Sequence, residues 1–194
     1  MSYYYLIASL PSLAIGKTPI SADEFHARCA SELSARDYRT LQTLDGIPMQ
    51  GDVPKQAFVH AWNDLETQLR NAIAKTRARN RKVDATRVLR PQEGHDTMIQ
   101  DRVENAWAQS NPLARERSLD TLRWKLLDDL EGLDPFSFHV ILSYAVKRKI
   151  ADRWSLMDAE AGWQTAQETL EQQPAGKLRH DDSETADTQV GSQT

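Results

Sequence analysis

The residues able to hold a metal ion or move a proton are scattered along this chain. His26, His60, His95, His139 and His180 lie far apart, and none stands in an H-E-x-x-H or comparable ligand spacing. His26, His60 and His139 fall on expected helices, where surface or partly buried polar positions suit them. Asp128, Asp129 and Glu131 gather at the end of a helical stripe, where the helix dipole slightly disfavours negative charge. A solvated face accounts for them, and a nearby basic partner would offset the cost. No two carboxylates are set in the contrasting environments that acid–base catalysis requires. The glycine-rich dinucleotide and phosphate-binding motifs and the G-x-S-x-G nucleophile elbow are absent. The chain is therefore expected to be non-enzymatic, without cofactor or resident metal. Cys29 is the only cysteine, so no intramolecular disulfide can form, and its expected role is a small buried apolar side chain.

The strongest local electrostatic feature is "KTRARNRKVDATRVLR". It places Lys75, Arg77, Arg79, Arg81, Lys82, Arg87 and Arg90 against a single acid, Asp84. Contact with a phosphate backbone would make binding steeply salt-dependent. Yet no aromatic residue is interleaved to stack bases, and no known reading motif is present. A solvated helix end, contact with an acidic protein and contact with nucleic acid all remain open. Five tryptophans, at 62, 107, 124, 154 and 163, form the other notable set. Four sit beside apolar stripes and are expected in the core. Trp124 falls at the edge of its leucine stripe, between Arg123 and Lys125, and is a candidate exposed interface anchor.

Positioning these residues falls to helices. The chain has 194 residues, 40% hydrophobic and 27% charged, with a net charge of −4, which fits a globular domain rather than a disordered one. That charge gives no global attraction to nucleic acid or anionic lipid. Ser21 with Glu24 forms a capping box before Phe25, Cys29 and Leu33. Ser34 with Asp37 repeats the pattern before Tyr38, Leu41 and Leu44, ended by Gly46 and Pro48. Phe58, Trp62, Leu65, Leu69 and Ile73 define one seam on a helix over about 54–80. "PQEGH" breaks the chain at 91–95, and Asp96 caps a helix bearing Ile99, Val103 and Trp107. Asn111-Pro112 opens the stripe Leu119, Leu122, Leu126 and Leu130, which runs up to Gly132. Asp134-Pro135 reads as the start of a last long helix with Phe138, Ile141, Leu142, Ala145, Ile150 and Trp154 near one face.

A short helix around 158–170 would add Trp163 and Leu170, and the polar residues 172–194 are expected to be a disordered tail. The expected architecture is all-α, six or seven helices in a bundle or elongated array, with residues 1–171 as one domain. The opening "MSYYYLIASLPSL" lacks a basic n-region, is broken by Ser9 and Pro11, and falls short of the roughly 20 residues that span a bilayer. It is expected to be an ordered element, helix or strand, burying Tyr4, Ile7 and Leu10. The chain is accordingly expected to be cytoplasmic.

The segment "DPFSFHVILSYAVKRKIADRW" resembles the closing helix of the C/d family of V-type and A-type rotary ATPase components. The positions that carry the likeness are Pro135, Phe136, Val140, Tyr144, Lys147, Ile150 and Arg153. The beginning, "YYYLIASLPSL" followed by a helix with Phe25 and Cys29 and another from Ser34, is similar to a short bacterial family that accompanies V-type ATPases. The resemblance covers residues 1–45 and 130–165 and is thin between them. It implies an all-α, non-catalytic part: a socket between the central stalk and the membrane ring of a proton- or sodium-translocating ATPase, peripheral to the membrane. Members of the C/d family are considerably longer, so this chain would be a reduced socket, an accessory subunit or an assembly factor. No single contact residue carries over from them. The alternative expectation is a helical nucleic-acid-binding protein using residues 75–90.

Overall fold

The structure is a computed structural model that describes residues 3–46, 56–92, 94 and 96–157. The chain divides into Met1–Asp158 and Ala159–Thr194, and every described residue belongs to the first unit. The described residues form seven α-helices: α1 Tyr4–Ser9, α2 Ala22–Glu32, α3 Ala35–Leu44, α4 Ala57–Arg81, α5 Thr97–Trp107, α6 Pro112–Glu131 and α7 Phe138–Ser155. A short 3-10 turn spans Thr86–Val88, and no strand occurs among the described residues. The expected helix over 158–170, with Trp163, and the expected tail lie outside them, as does Pro54.

The helix starts follow the side chains that cap them. Ser21 Oγ accepts from the Glu24 amide and Ser34 Oγ from the Asp37 amide, each at 3.1 Å. Asp96 accepts from the Met98 amide at 2.8 Å, and Asn111 from the Leu113 amide at 2.9 Å with Pro112 in the first turn. Such caps satisfy amides that have no partner within the helix. Asp134 behaves differently from the expectation. Its carboxylate accepts from the Phe136 amide at 3.0 Å and its carbonyl from the Ser137 amide at 3.2 Å. This closes a turn, and α7 begins only after Ser137.

Polar cross-links fix the directions of the helices. Ser143 and Trp154 of α7 meet Leu127 and Asp120 of α6 respectively, so these two helices run antiparallel. Gln109 meets Ser118, which sets α5 against α6 in the same antiparallel sense as the chain turns at Asn111. Helices α4 and α5 are parallel: Gln68 meets Asp96, and Arg79 meets Glu104. Parallel neighbours need a return connection, which residues 82–92 supply by running back along α4. Helix α7 is the centre of the unit, with ten of its eighteen residues buried, Ser143, Lys147 and Arg148 among them. Helix α6 packs on one flank, while α3, α2 and the N-terminal segment pack on the other.

The α4 seam buries Phe58, Trp62 and Leu69, with Leu65 and Ile73 half-buried against the same core. Cys29 is fully buried, and burial, helped by the charge of Asp45, pushes its thiol up to about 12. The N-terminal element is a helix, but its inward face differs from the expectation. Tyr3 and Leu6 are buried, Ile7 and Leu10 are half-buried, and Tyr4 is exposed. Tyr3 sets this rotation: its amide donates to the Phe136 carbonyl at 3.1 Å, its hydroxyl to Asp37, and its ring lies 5.8 Å from Phe138.

Two tyrosines give the unit an alkaline limit. Burial, then the hydrogen bond to Asp37 and its charge, raise the Tyr3 phenol to about 12. Burial, partly offset by Arg148 and Arg28, raises Tyr144 to about 12 as its hydroxyl donates to the Pro11 carbonyl at 2.9 Å. In the unfolded chain both phenols ionise near 10. Their contribution is therefore complete below about pH 10 and is lost as pH rises toward about 12. Urea unfolding across this window should show stability falling with pH, and the Tyr3→Phe/Tyr144→Phe variant should fall less steeply. Equal slopes would show that the two phenols ionise alike in both states.

Candidate interaction surface

The seven cations of residues 75–90 are all exposed. Helix α4 delivers Lys75, Arg77, Arg79 and Arg81 on its last two turns, and the chain then reverses at Lys82. There the Lys82 amide bonds the Arg79 carbonyl and the Val83 amide bonds the Ala78 carbonyl at 3.0 Å, with Lys82 at φ +54°. A left-handed residue with this bonding ends many helices and is usually glycine.

The return segment is held from both sides. Buried Asn71 donates to the Arg90 carbonyl at 2.8 Å and accepts from the Arg90 amide at 3.0 Å. Asp84 accepts from the Thr86 amide and hydroxyl, bonds that hold its carboxyl below the usual range. Arg87 and Arg90 are thus presented from a fixed backbone.

Of these cations, Arg79 pairs with Glu104 at 2.8 Å, which holds that carboxyl below its ordinary value. Arg77 lies over the Trp107 ring at 5.7 Å, with Arg115 over the same ring at 4.5 Å. Lys75, Arg81, Lys82, Arg87 and Arg90 have no acidic partner among the described residues. The packing of α5 on α4 thus brings an aromatic ring to a segment whose own sequence has none. The i+4 stripe that marks Trp107 as a core residue gives no sign of this, and the ring is in fact half-buried.

Trp124 does not join this surface. It is half-buried against the core, with the Lys147 ammonium 5.8 Å from its ring centroid, so it is no free anchor. Its neighbour Arg123 faces Glu66 at 2.9 Å, nine residues and so about 14 Å along the α4 axis from Lys75.

Several acids and bases of α6 and α7 hold helices together. Asp120 is fully buried and accepts from Arg123 at 2.9 Å, from the Trp154 indole at 2.6 Å and from Arg153. Arg123 also binds Glu66, which in turn binds Arg70 at 2.8 Å. Lys147 reaches Asp128 and Glu131, and Glu131 accepts from Ser143 at 2.7 Å. The basic partner suspected for the acids ending α6 is therefore Lys147, while Asp129 stays exposed. Successive side chains on a helix diverge by about 100°. Accordingly Lys147 points to α6, Arg148 binds Asp152 and lies over Phe25 at 5.8 Å, and Lys149 binds Asp45 at 2.8 Å.

Among the described residues no His, Cys, Asp or Glu group is arranged to hold a metal ion. His26 faces Asp45 at 2.9 Å and His139 lies against Phe58. An open groove of about 420 Å³ between α5 and α6 is lined by Arg102, Asn105, Gln109, Ser118, Thr121 and Lys125 among others. Across it Gln109 bonds Ser118 at 2.6 Å. Its lining mixes these polar groups with Ala106 and Leu122, without a nucleophile and base in contact.

No curated protein and no solved structure matched the chain. A family model described as "Protein of unknown function (DUF2764)" matches residues 101–175, less than half of the chain. That stretch contains every member of the two ionic clusters on α6 and α7 except Glu66 and Arg70.

Proposed function

We propose that the chain is a non-catalytic subunit or accessory factor of a V/A-type rotary ATPase, working on the cytoplasmic side through its surfaces. The observation that supports this reading is the place in the fold of the residues that resemble the C/d family. Tyr144 stacks on Phe25 at 5.4 Å and bonds Pro11, Lys147 binds the end of α6, Ile150 is buried, and Arg153 binds Asp120. Residues with such duties preserve a helical scaffold, so the likeness bears on a shared framework and leaves the contact surface free to differ. Among the described residues no helix is long and apolar enough to cross a membrane. Attachment through partners at the central stalk or membrane ring accords with that.

Co-purification tests the reading. Native membranes solubilised in mild detergent should yield this chain with the catalytic and ring components of the ATPase. An intact ATPase that lacks it, with the chain recovered only as a free species, would remove the proposal.

A further inference from the structure

We propose that the exposed basic surface formed by the end of α4 and its return segment, residues 75–90, docks an acidic polypeptide segment that also carries apolar side chains. Charge complementarity is the first argument. Sixteen residues bear seven cations and one acid in a chain whose net charge is −4, and five of those cations have no acidic partner among the described residues. The second argument is the apolar component. Val83 and Val88 are 60% and 66% exposed, set among Arg81, Lys82, Arg87 and Arg90. Cations with two exposed valines beside them match a segment that offers carboxylates and apolar side chains together.

Preorganisation is the third argument. The Asn71 clamp on Arg90 and the Asp84–Thr86 turn fix the backbone that presents these groups, which lowers the ordering cost of binding. Lys82 occupies a backbone position that favours glycine. A cation stands there in spite of the local preference.

Single-stranded nucleic acid fits less well. Single strands are held by open aromatic faces as well as by charge, and the aromatic ring beside these cations, Trp107, already carries Arg77 and Arg115. An anionic membrane surface is bound by helices that insert Trp, Phe or Leu, whereas the exposed apolar groups here are valines. The inference deepens the assembly reading by giving the chemistry of a partner. Its test uses isolated components, so either idea can fail alone.

The full-length chain is titrated by fluorescence anisotropy with four probes: a Glu/Leu amphipathic peptide, a Glu/Ser peptide of equal charge, an oligothymidylate and phosphatidylserine vesicles. The Glu/Leu peptide should bind tightest, and its affinity should fall with added salt. The Arg81→Glu/Lys82→Glu/Arg87→Glu variant should lose about tenfold or more in affinity, and the corresponding Gln variant should lose less. Val83→Ser/Val88→Ser should weaken the Glu/Leu peptide several-fold and leave the Glu/Ser peptide unchanged. Thermal melts confirm that each variant folds, which exposed positions allow. Tighter binding of oligonucleotide or vesicles, equal binding of both peptides, affinity unmoved by charge reversal, or no peptide binding would each overturn the proposal.

Discussion

Replacing Asp120 by alanine is expected to lower the unfolding free energy by about 3–5 kcal/mol, the usual result of breaking a buried charge cluster by removing one member. The carboxylate is fully buried and serves three donors on two helices: Arg123 of α6 and Arg153 and Trp154 of α7. Its loss strands the indole N–H and leaves Arg123 with Glu66 alone. Against a typical total of about 5–15 kcal/mol, that is a large share. Asp120→Asn keeps an acceptor for Trp154 and should cost roughly half as much, since charged hydrogen bonds are about twice as strong as neutral ones. Arg153 is partly exposed, so Arg153→Ala should cost only about 1 kcal/mol. Urea unfolding of the three variants orders these effects. Asp120→Ala within about 1 kcal/mol of the parent, by the same scale, would mean that the cluster does not bind α6 to α7.

Phe25→Ala should cost a comparable amount, about 3–5 kcal/mol, for an apolar reason. Phe25 is fully buried, stacks on Tyr144 with ring centroids 5.4 Å apart, and lies under the Arg148 guanidinium at 5.8 Å. Deleting the ring opens a cavity where α2 meets α7 and leaves Arg148 without its aromatic neighbour. Phe25→Leu retains most of the volume and should cost under about 1.5 kcal/mol. The same variants have a second readout. Cys29 sits one turn further along α2, buried with its thiol raised to about 12. Its reaction with a thiol reagent should be slow in the parent and faster in Phe25→Ala. Unchanged stability and unchanged thiol reactivity together would show that α2 does not depend on this contact.

Much of the helical layout is legible in the sequence because its determinants are local. Ser21, Ser34, Asp96 and Asn111 each cap the helix their spacing marks, and the α4 seam needs only its four- and three-residue intervals. The errors arise where a local signal serves two geometries. Asp134-Pro135 suits either a helix start or a turn, and the turn wins because the Phe136 carbonyl is held by the Tyr3 amide. Helix α1 has six residues, too few turns for periodicity to choose a face, so the sequence favours Tyr4 where the fold buries Tyr3. The dipole argument points from Asp128 and Glu131 to a basic partner, but only the fold identifies it as Lys147. Asp120 gives no signal at all. Its partners Arg153 and Trp154 stand 33 and 34 residues away, and an acid beside a leucine stripe reads as ordinary surface. The basic segment is visible as a charge run. Its fixed shape depends on Asn71, 19 residues from Arg90, and its aromatic neighbour comes from another helix.

The central place of α7 bears on the order in which the protein can be made. The ribosome delivers α2 and α3 first, then α4 to α6, and the helix against which both groups pack comes after them. At about 5–20 residues per second, roughly 6–25 s separate the end of α2 from the end of α7. During that interval Phe25 lacks the Tyr144 ring and the Arg148 guanidinium that pack on it, whereas α4, α5 and α6 can already pair with one another. Vectorial synthesis thus leaves α2 as the part awaiting its last neighbour, and a stop before residue 138 would withhold the Tyr144 and Arg148 contacts altogether.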